Sequence, residues 1–172
     1  GAFLNGLAEK LSASARFGTI VALYVIDLDR FKEVNDTLGH ESGDDLLTEM
    51  ARRLRTHLRG QDAVARLGGD EFGLVLVGAM DPERALWRVR EVIEAETMVR
   101  GLPLSIASSI GYALAPVDGD DAEVLLQRAD VVVLPYDSVD QVTSGVLVDA
   151  VAAGSYIVRA RPGHLDEVVV RV

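Results

Sequence analysis

The spacing of apolar residues divides the chain into alternating helices and strands. From Ala2 to Ala15 apolar side chains fall at Phe3, Leu4, Leu7, Ala8 and Leu11, the repeat of an amphipathic helix, and Gly18 ends it. Ile20 to Ile26 is almost continuously apolar, which predicts a strand buried on both faces. Phe31 to His40 is a short segment with a stop at Gly39. Leu46, Leu47, Met50, Ala51, Leu54 and Leu58 form the core stripe of a helix over about 44–58, with Arg52, Arg53 and Arg55 on a solvated face. Ala63 to Ala65 and Phe72 to Val77 are short apolar runs around Gly68 and Gly69, the pattern of a β-hairpin. Asp81-Pro82-Glu83 reads as a helix start, and Ala85, Leu86, Val89 and Ile93 carry that helix to about Met98. Leu104 to Ala115 reads as one strand and Ala122 to Ala129 as a short helix. A strand over 131–134, a helix over 142–153, a strand over 156–159 and a last short strand over 168–172 complete an α/β pattern.

Chemistry gathers at three places on this pattern. Asp70 and Glu71 follow the hairpin glycines at once, and they point to opposite faces if the strand has begun there. Bare backbone with two carboxylates suits a nucleotide base or phosphate together with a divalent cation. The alternative is an ordinary Gly-Gly turn with solvated acids. Asp27-Leu28-Asp29 ends the first strand, where open α/β sheets bind ligands; the alternative for Asp29 is a cap on the turn at Arg30-Phe31-Lys32. Asn35 offers both donors and acceptors, so it can read the edge of a base. Arg59 and Asp62, taken alone, are an ordinary surface pair. His40 lacks the partner a zinc site needs, and His57 reads as a surface residue.

Composition narrows the partners. Of 172 residues, 49% are hydrophobic and 26% charged, enough for a packed core. The net charge of −10 argues against DNA or RNA as a partner, but not against a nucleotide that arrives with its own cation. Cysteine is absent, so no disulfide framework or thiolate site exists. No apolar run reaches the length of a membrane span and no signal peptide opens the sequence, so a cytoplasmic location is the expectation.

The motifs together resemble a known family. Gly68-Gly69-Asp70-Glu71-Phe72 is similar to the namesake motif of the GGDEF domain, the diguanylate cyclases. Ile26 to His40, Gly43-Asp44 with its helix, Ser109-Ile110-Gly111 and Leu125 to Asp130 resemble the family in the same order, so the likeness spans about residues 1–130. It implies an antiparallel central sheet flanked by helices. It also implies that two GTP molecules are condensed into cyclic di-GMP with release of pyrophosphate, by a homodimer whose subunits face each other. Carried over by position, Asp27, the Leu28 carbonyl, Asp70 and Glu71 hold Mg²⁺ or Mn²⁺, and Glu71 and Asp70 are catalytic. Asn35 and Asp44 read guanine, and Gly68 and Gly69 let the hairpin lie against the nucleotide. Arg59 and Asp62 fall where the family binds its inhibitory product.

Three departures follow. The Asp-x-Leu-Thr-Gly-Leu-x-Asn-Arg segment that usually opens the domain does not precede Gly1, so a truncated N-terminus is expected, with no regulatory domain before it. After Asp130 the family's phosphate-binding Lys and Arg are missing: no lysine or arginine occurs from 131 to 158. Residues 129–158, including Ser144, Gly145 and Asp149, instead resemble a nucleotide-sugar-binding piece of a GT-B glycosyltransferase, which suggests a chimera with an atypical C-terminal α/β segment over 131–172. The alternatives to an active cyclase are a weak or inactive module that binds GTP or cyclic di-GMP, and a structural chimera with vestigial sites.

Overall fold

The computed structural model describes residues 1–129 and, beyond them, the backbone of the short strands Ile157–Val158 and Val169–Val170. Within 1–129 the chain alternates α1 (Ala2–Phe17), β1 (Val21–Leu28), α2 (Phe31–Leu38), α3 (His40–Thr56), β2 (Ala63–Gly68), β3 (Glu71–Val77), α4 (Pro82–Glu94), β4 (Thr97–Val99), β5 (Leu102–Leu104), β6 (Ser108–Ala115) and α5 (Ala122–Ala129). Four strands form one sheet in the order β2-β3-β1-β6, and every pairing in it is antiparallel. Strands β4 and β5 form a separate ribbon.

Strand β1 is apolar on both faces because helices cover both. Ala22, Tyr24, Ile26 and Leu28 pack with Leu46, Leu47, Met50 and Leu54 of α3 and with Leu86, Val89 and Ile93 of α4. Val21, Leu23 and Val25 turn the other way, onto Leu7 and Leu11 of α1 and Ala122, Leu125 and Ala129 of α5. Period-two alternation thus divides one strand between two cores. The buried Tyr24 hydroxyl donates to the Pro82 carbonyl oxygen at 2.9 Å, so the central strand also grips the start of α4. Burial first, then the neighbouring Tyr112 and Asp81, pushes its pKa well above the usual phenol range.

Several expected boundaries move. Helix α3 begins at His40 rather than near Asp44, because Gly39 takes φ 85 and makes the whole change of direction in one residue. Helix α4 ends at Glu94, and Met98 belongs to β4. Its end is held from outside: the Arg53 guanidinium donates to the carbonyls of Val92, Ala95 and Glu96, two of them past the helix end. Arg53 is therefore a cap for a neighbouring helix and not part of a solvated face. The expected single strand over 104–115 breaks at Ser105–Ala107, between β5 and β6.

Of the expected C-terminal elements, the strand over 131–134 and the helix over 142–153 lie outside the described residues. Strands β7 (Ile157–Val158) and β8 (Val169–Val170) fall within the ranges expected for the last two strands, and they pair antiparallel.

Candidate functional site

The site is built where β1 and the β2–β3 hairpin end together. Asp27 pairs with Glu71 across β1 and β3, and with Ser109 across β1 and β6. The hairpin register runs Arg66 to Phe72 and then Gly68 to Glu71, which leaves Leu67 as a bulge. A bulge raises the local twist and re-aims the tip. Gly69 and Asp70 form the turn itself, with Gly69 at φ 48, a conformation that favours glycine. Arg66 Nε donates to the Gly69 carbonyl oxygen at 2.7 Å and fixes the turn. Asp70 thus lies in the turn and Glu71 is the first residue of β3.

Gly68 differs from Gly69. Its φ lies outside the left-handed region, and a Cβ added to it meets no protein atom within 4 Å. Nothing inside the fold demands glycine there. The surface over the turn is open.

Four carboxylates share this end of the sheet. Half-burial, then the charges of Asp70, Asp29 and Glu71, push the Asp27 carboxyl up to about 6. The charges that shift it are all negative. Asp29 does not cap α2: Arg30, at φ 59, occupies the cap position without a side-chain bond. Instead Asp29 accepts a 2.7 Å hydrogen bond from Ser109 Oγ, while its backbone N–H donates to the Ala107 carbonyl. Sequence reasoning passed over Ser109 as part of this site, although its Ser-Ile-Gly motif was visible.

The donors fit a hard divalent cation. Among the described residues, no group of three or more carboxylate or histidine side chains gathers closely enough to hold an ion unaided. A hard divalent cation can bind through one or two carboxylates and fill its remaining positions with water and substrate phosphate. Asp27 and Asp70 supply carboxylates of that kind, and the Leu28 carbonyl at the end of β1 is a further oxygen.

The two base-reading candidates stand on different helices. Asn35 is half-buried on α2, and Asp44 is exposed in the second turn of α3. Asp44 opens a groove of about 370 Å³ between α3 and β2, which Thr48, Arg55, Arg66 and Phe72 also line. Arg59 and Asp62 lie at the far end of β2. The Asp62 carboxylate accepts from the backbone N–H groups of Arg59 at 2.9 Å and Val77 at 3.1 Å. It closes the turn into the hairpin, a structural duty that an ordinary surface pair lacks. Among the described residues no helix is long and apolar enough to cross a membrane.

Comparison with known proteins agrees with this architecture. The diguanylate cyclase GGDEF domain family matches residues 1–134. The chain is 40% identical over 134 residues to the diguanylate cyclase TpbB of Pseudomonas aeruginosa, covering 75% of this chain and 31% of that protein. It is 36% identical over 125 residues to the diguanylate cyclase DosC of Escherichia coli, covering 71% of this chain and 27% of that protein. The chain therefore spans less than a third of either protein's length. Among solved structures, a sensory box/GGDEF family protein from Caulobacter crescentus superposes with TM-score 0.70 at 39% identity, covering 74% of this chain and 84% of that one. The GGDEF domain of DgcB from the same species, solved in complex with c-di-GMP, gives TM-score 0.66 at 26% identity, covering 75% and 78%. The glycosyltransferase-like reading of residues 129–158 finds no support among these relatives, and of that range only Ala129 and the backbone of Ile157–Val158 are described. The sheet order, the Gly68–Phe72 hairpin and these matches together place the chain in the diguanylate cyclase GGDEF domain family.

Proposed function

We propose that this chain is a diguanylate cyclase domain that condenses two GTP molecules into cyclic di-GMP with Mg²⁺. The observation that carries the reading is the pairing of Asp27 with Glu71 beside Asp70, under a turn whose Gly68 leaves open space. A triphosphate fits there for two reasons. It brings the cations that the carboxylates lack, and its sugar and phosphates can lie against backbone unobstructed by a side chain. Asp27, Asp70 and the Leu28 carbonyl would hold Mg²⁺, with Glu71 as a further acid. When bound, the cation would neutralise phosphate charge and make the attacking hydroxyl easier to deprotonate. Glu71 stands at the start of β3 to accept the proton of the ribose 3′-hydroxyl. Asn35 and Asp44 offer guanine a donor and an acceptor. Each 3′-oxygen bonds to the α-phosphorus of the other GTP and each departing group is pyrophosphate, so one product needs two facing subunits.

The test is incubation of the full chain with GTP and Mg²⁺, products resolved by mass spectrometry. Cyclic di-GMP should form, and Glu71→Gln should lower its rate at least a hundredfold, the scale of a lost general base. No product from folded protein would overturn the cyclase reading. GTP binding without turnover is the second reading, favoured by the lack of lysine and arginine over 131–158.

The same assay examines the product site proposed at Arg59 and Asp62. Arg59→Ala leaves its backbone N–H in place, so product inhibition should weaken at least tenfold with no change in the unfolding midpoint. Asp62→Ala removes the acceptor for two backbone groups as well and should also cost about 1.5–3 kcal/mol of stability. Inhibition unchanged in Arg59→Ala would place the product elsewhere.

A further inference from the structure

Helices α2 and α3 fold back on each other across Gly39, which brings Asn35 beside the first turn of α3. Gly43 is buried at that contact. A Cβ added to it would lie 2.0 Å from Asn35 Oδ1, and 3.0 Å from both Asn35 Cγ and Phe31 Cζ. The Asn35 amide therefore occupies the space that any side chain at position 43 would fill. Conformation does not explain the glycine: its φ lies outside the left-handed region, and inside a helix alanine is the better residue. Close approach explains it. The next residue is Asp44, so the position that seats the amide adjoins the one that carries the carboxylate.

We propose that Gly43 is a positioning residue that determines base specificity, by fixing where the Asn35 amide stands relative to Asp44. The inference rests on Asn35 and Asp44 being the base-reading pair. Guanine offers acceptors at O6 and N7 beside donors at N1 and N2, so a donor and an acceptor at a set separation select it over adenine. A methyl group at 43 displaces the amide but leaves both reading residues present. The effect is one of geometry rather than of missing groups.

The test uses the non-cleavable α,β-methylene analogues of GTP and ATP with Mg²⁺, measured by calorimetry on the full chain, Gly43→Ala, Asn35→Ala and the double variant. Gly43→Ala should weaken the guanine analogue at least tenfold and leave the adenine analogue unchanged. In the Asn35→Ala background the same substitution should cost nothing further, because it acts through the amide. Unfolding midpoints are read in parallel. If Gly43→Ala alone fails to fold, the double variant, which removes the 2.0 Å contact and leaves the 3.0 Å approach to Phe31 Cζ, should recover most of the lost midpoint without recovering guanine preference. Wild-type affinity in Gly43→Ala, or an equal loss in both backgrounds, would overturn the inference while leaving the base-reading pair intact. A silent Asn35→Ala would instead overturn the pair, and this inference with it.

Discussion

Asp27→Asn is expected to be more stable than the parent and to make no cyclic di-GMP. Both effects arise from one charge. Asp27 is half-buried, paired with Glu71, and subject to the charges of Asp70, Asp29 and Glu71, which together with burial push its carboxyl up to about 6. At pH 7.5 the parent therefore carries a carboxylate that burial and like charges oppose. Asparagine keeps the shape and removes the charge. Because the site is open to water on one side, the gain is about 1 kcal/mol, or a few degrees in the unfolding midpoint. Activity should fall at least a thousandfold, because a neutral amide at the centre of the site removes a cation ligand from each of two subunits. Unfolding in the absence of divalent cations and a GTP turnover assay measure the two halves. A variant less stable than the parent would show that the Asp27 charge supports the fold. A variant that keeps more than a tenth of the activity would remove Asp27 from the proposed cation site.

The ends of the elements show what local pattern can and cannot report. Strand β1 was legible from Ile20 to Ile26 because burial on both faces leaves a continuous apolar run. Gly18 and Asp81-Pro82 were equally plain, since capping acts within a few residues: Asp81 Oδ1 accepts from the Arg84 N–H at 2.9 Å. The end of α4 was not legible. Its terminator is the side chain of Arg53, from a different helix, and without that contact the apolar stripe reads on into Met98. The break at Ser105–Ala107 was missed for a similar reason, because alternation of Leu104, Ile106, Ser108 and Ile110 passes straight through it. At the site, Asp27 at a strand end and Asp70 and Glu71 at the hairpin tip were each legible, but their meeting was implied only by the resemblance to the GGDEF family. The contact of Gly43 with Asn35 was not legible, because it depends on how closely α2 and α3 pack across Gly39.

The pH dependence of turnover should run opposite to that of stability. For the metal-free protein, a folded-state Asp27 at about 6, above its ordinary value, means that the folded state binds more protons than the unfolded state between those two values. Stability from this group is therefore fully present at the acid end, falls as pH rises from about 4 towards 6, and is constant above. Cation binding needs the carboxylate, so it competes with the same proton. With Mg²⁺ well below saturation, occupancy of each subunit falls about tenfold per pH unit below 6. A product that requires two loaded subunits then forms at a rate that follows the square of occupancy, about a hundredfold per unit. Once Mg²⁺ saturates the site at neutral pH, a further tenfold rise should move the midpoint of the profile about one unit to the acid side, because proton and cation exchange one for one. Initial rates between pH 5 and 7.5 test both, the slope below saturating Mg²⁺ and the midpoint at two concentrations above it. A slope of tenfold per unit would mean that one loaded subunit limits the reaction. A midpoint unmoved between two saturating Mg²⁺ concentrations would assign the titration to a group outside the cation site, and Asp70 and Glu71 would then have to hold the cation without Asp27.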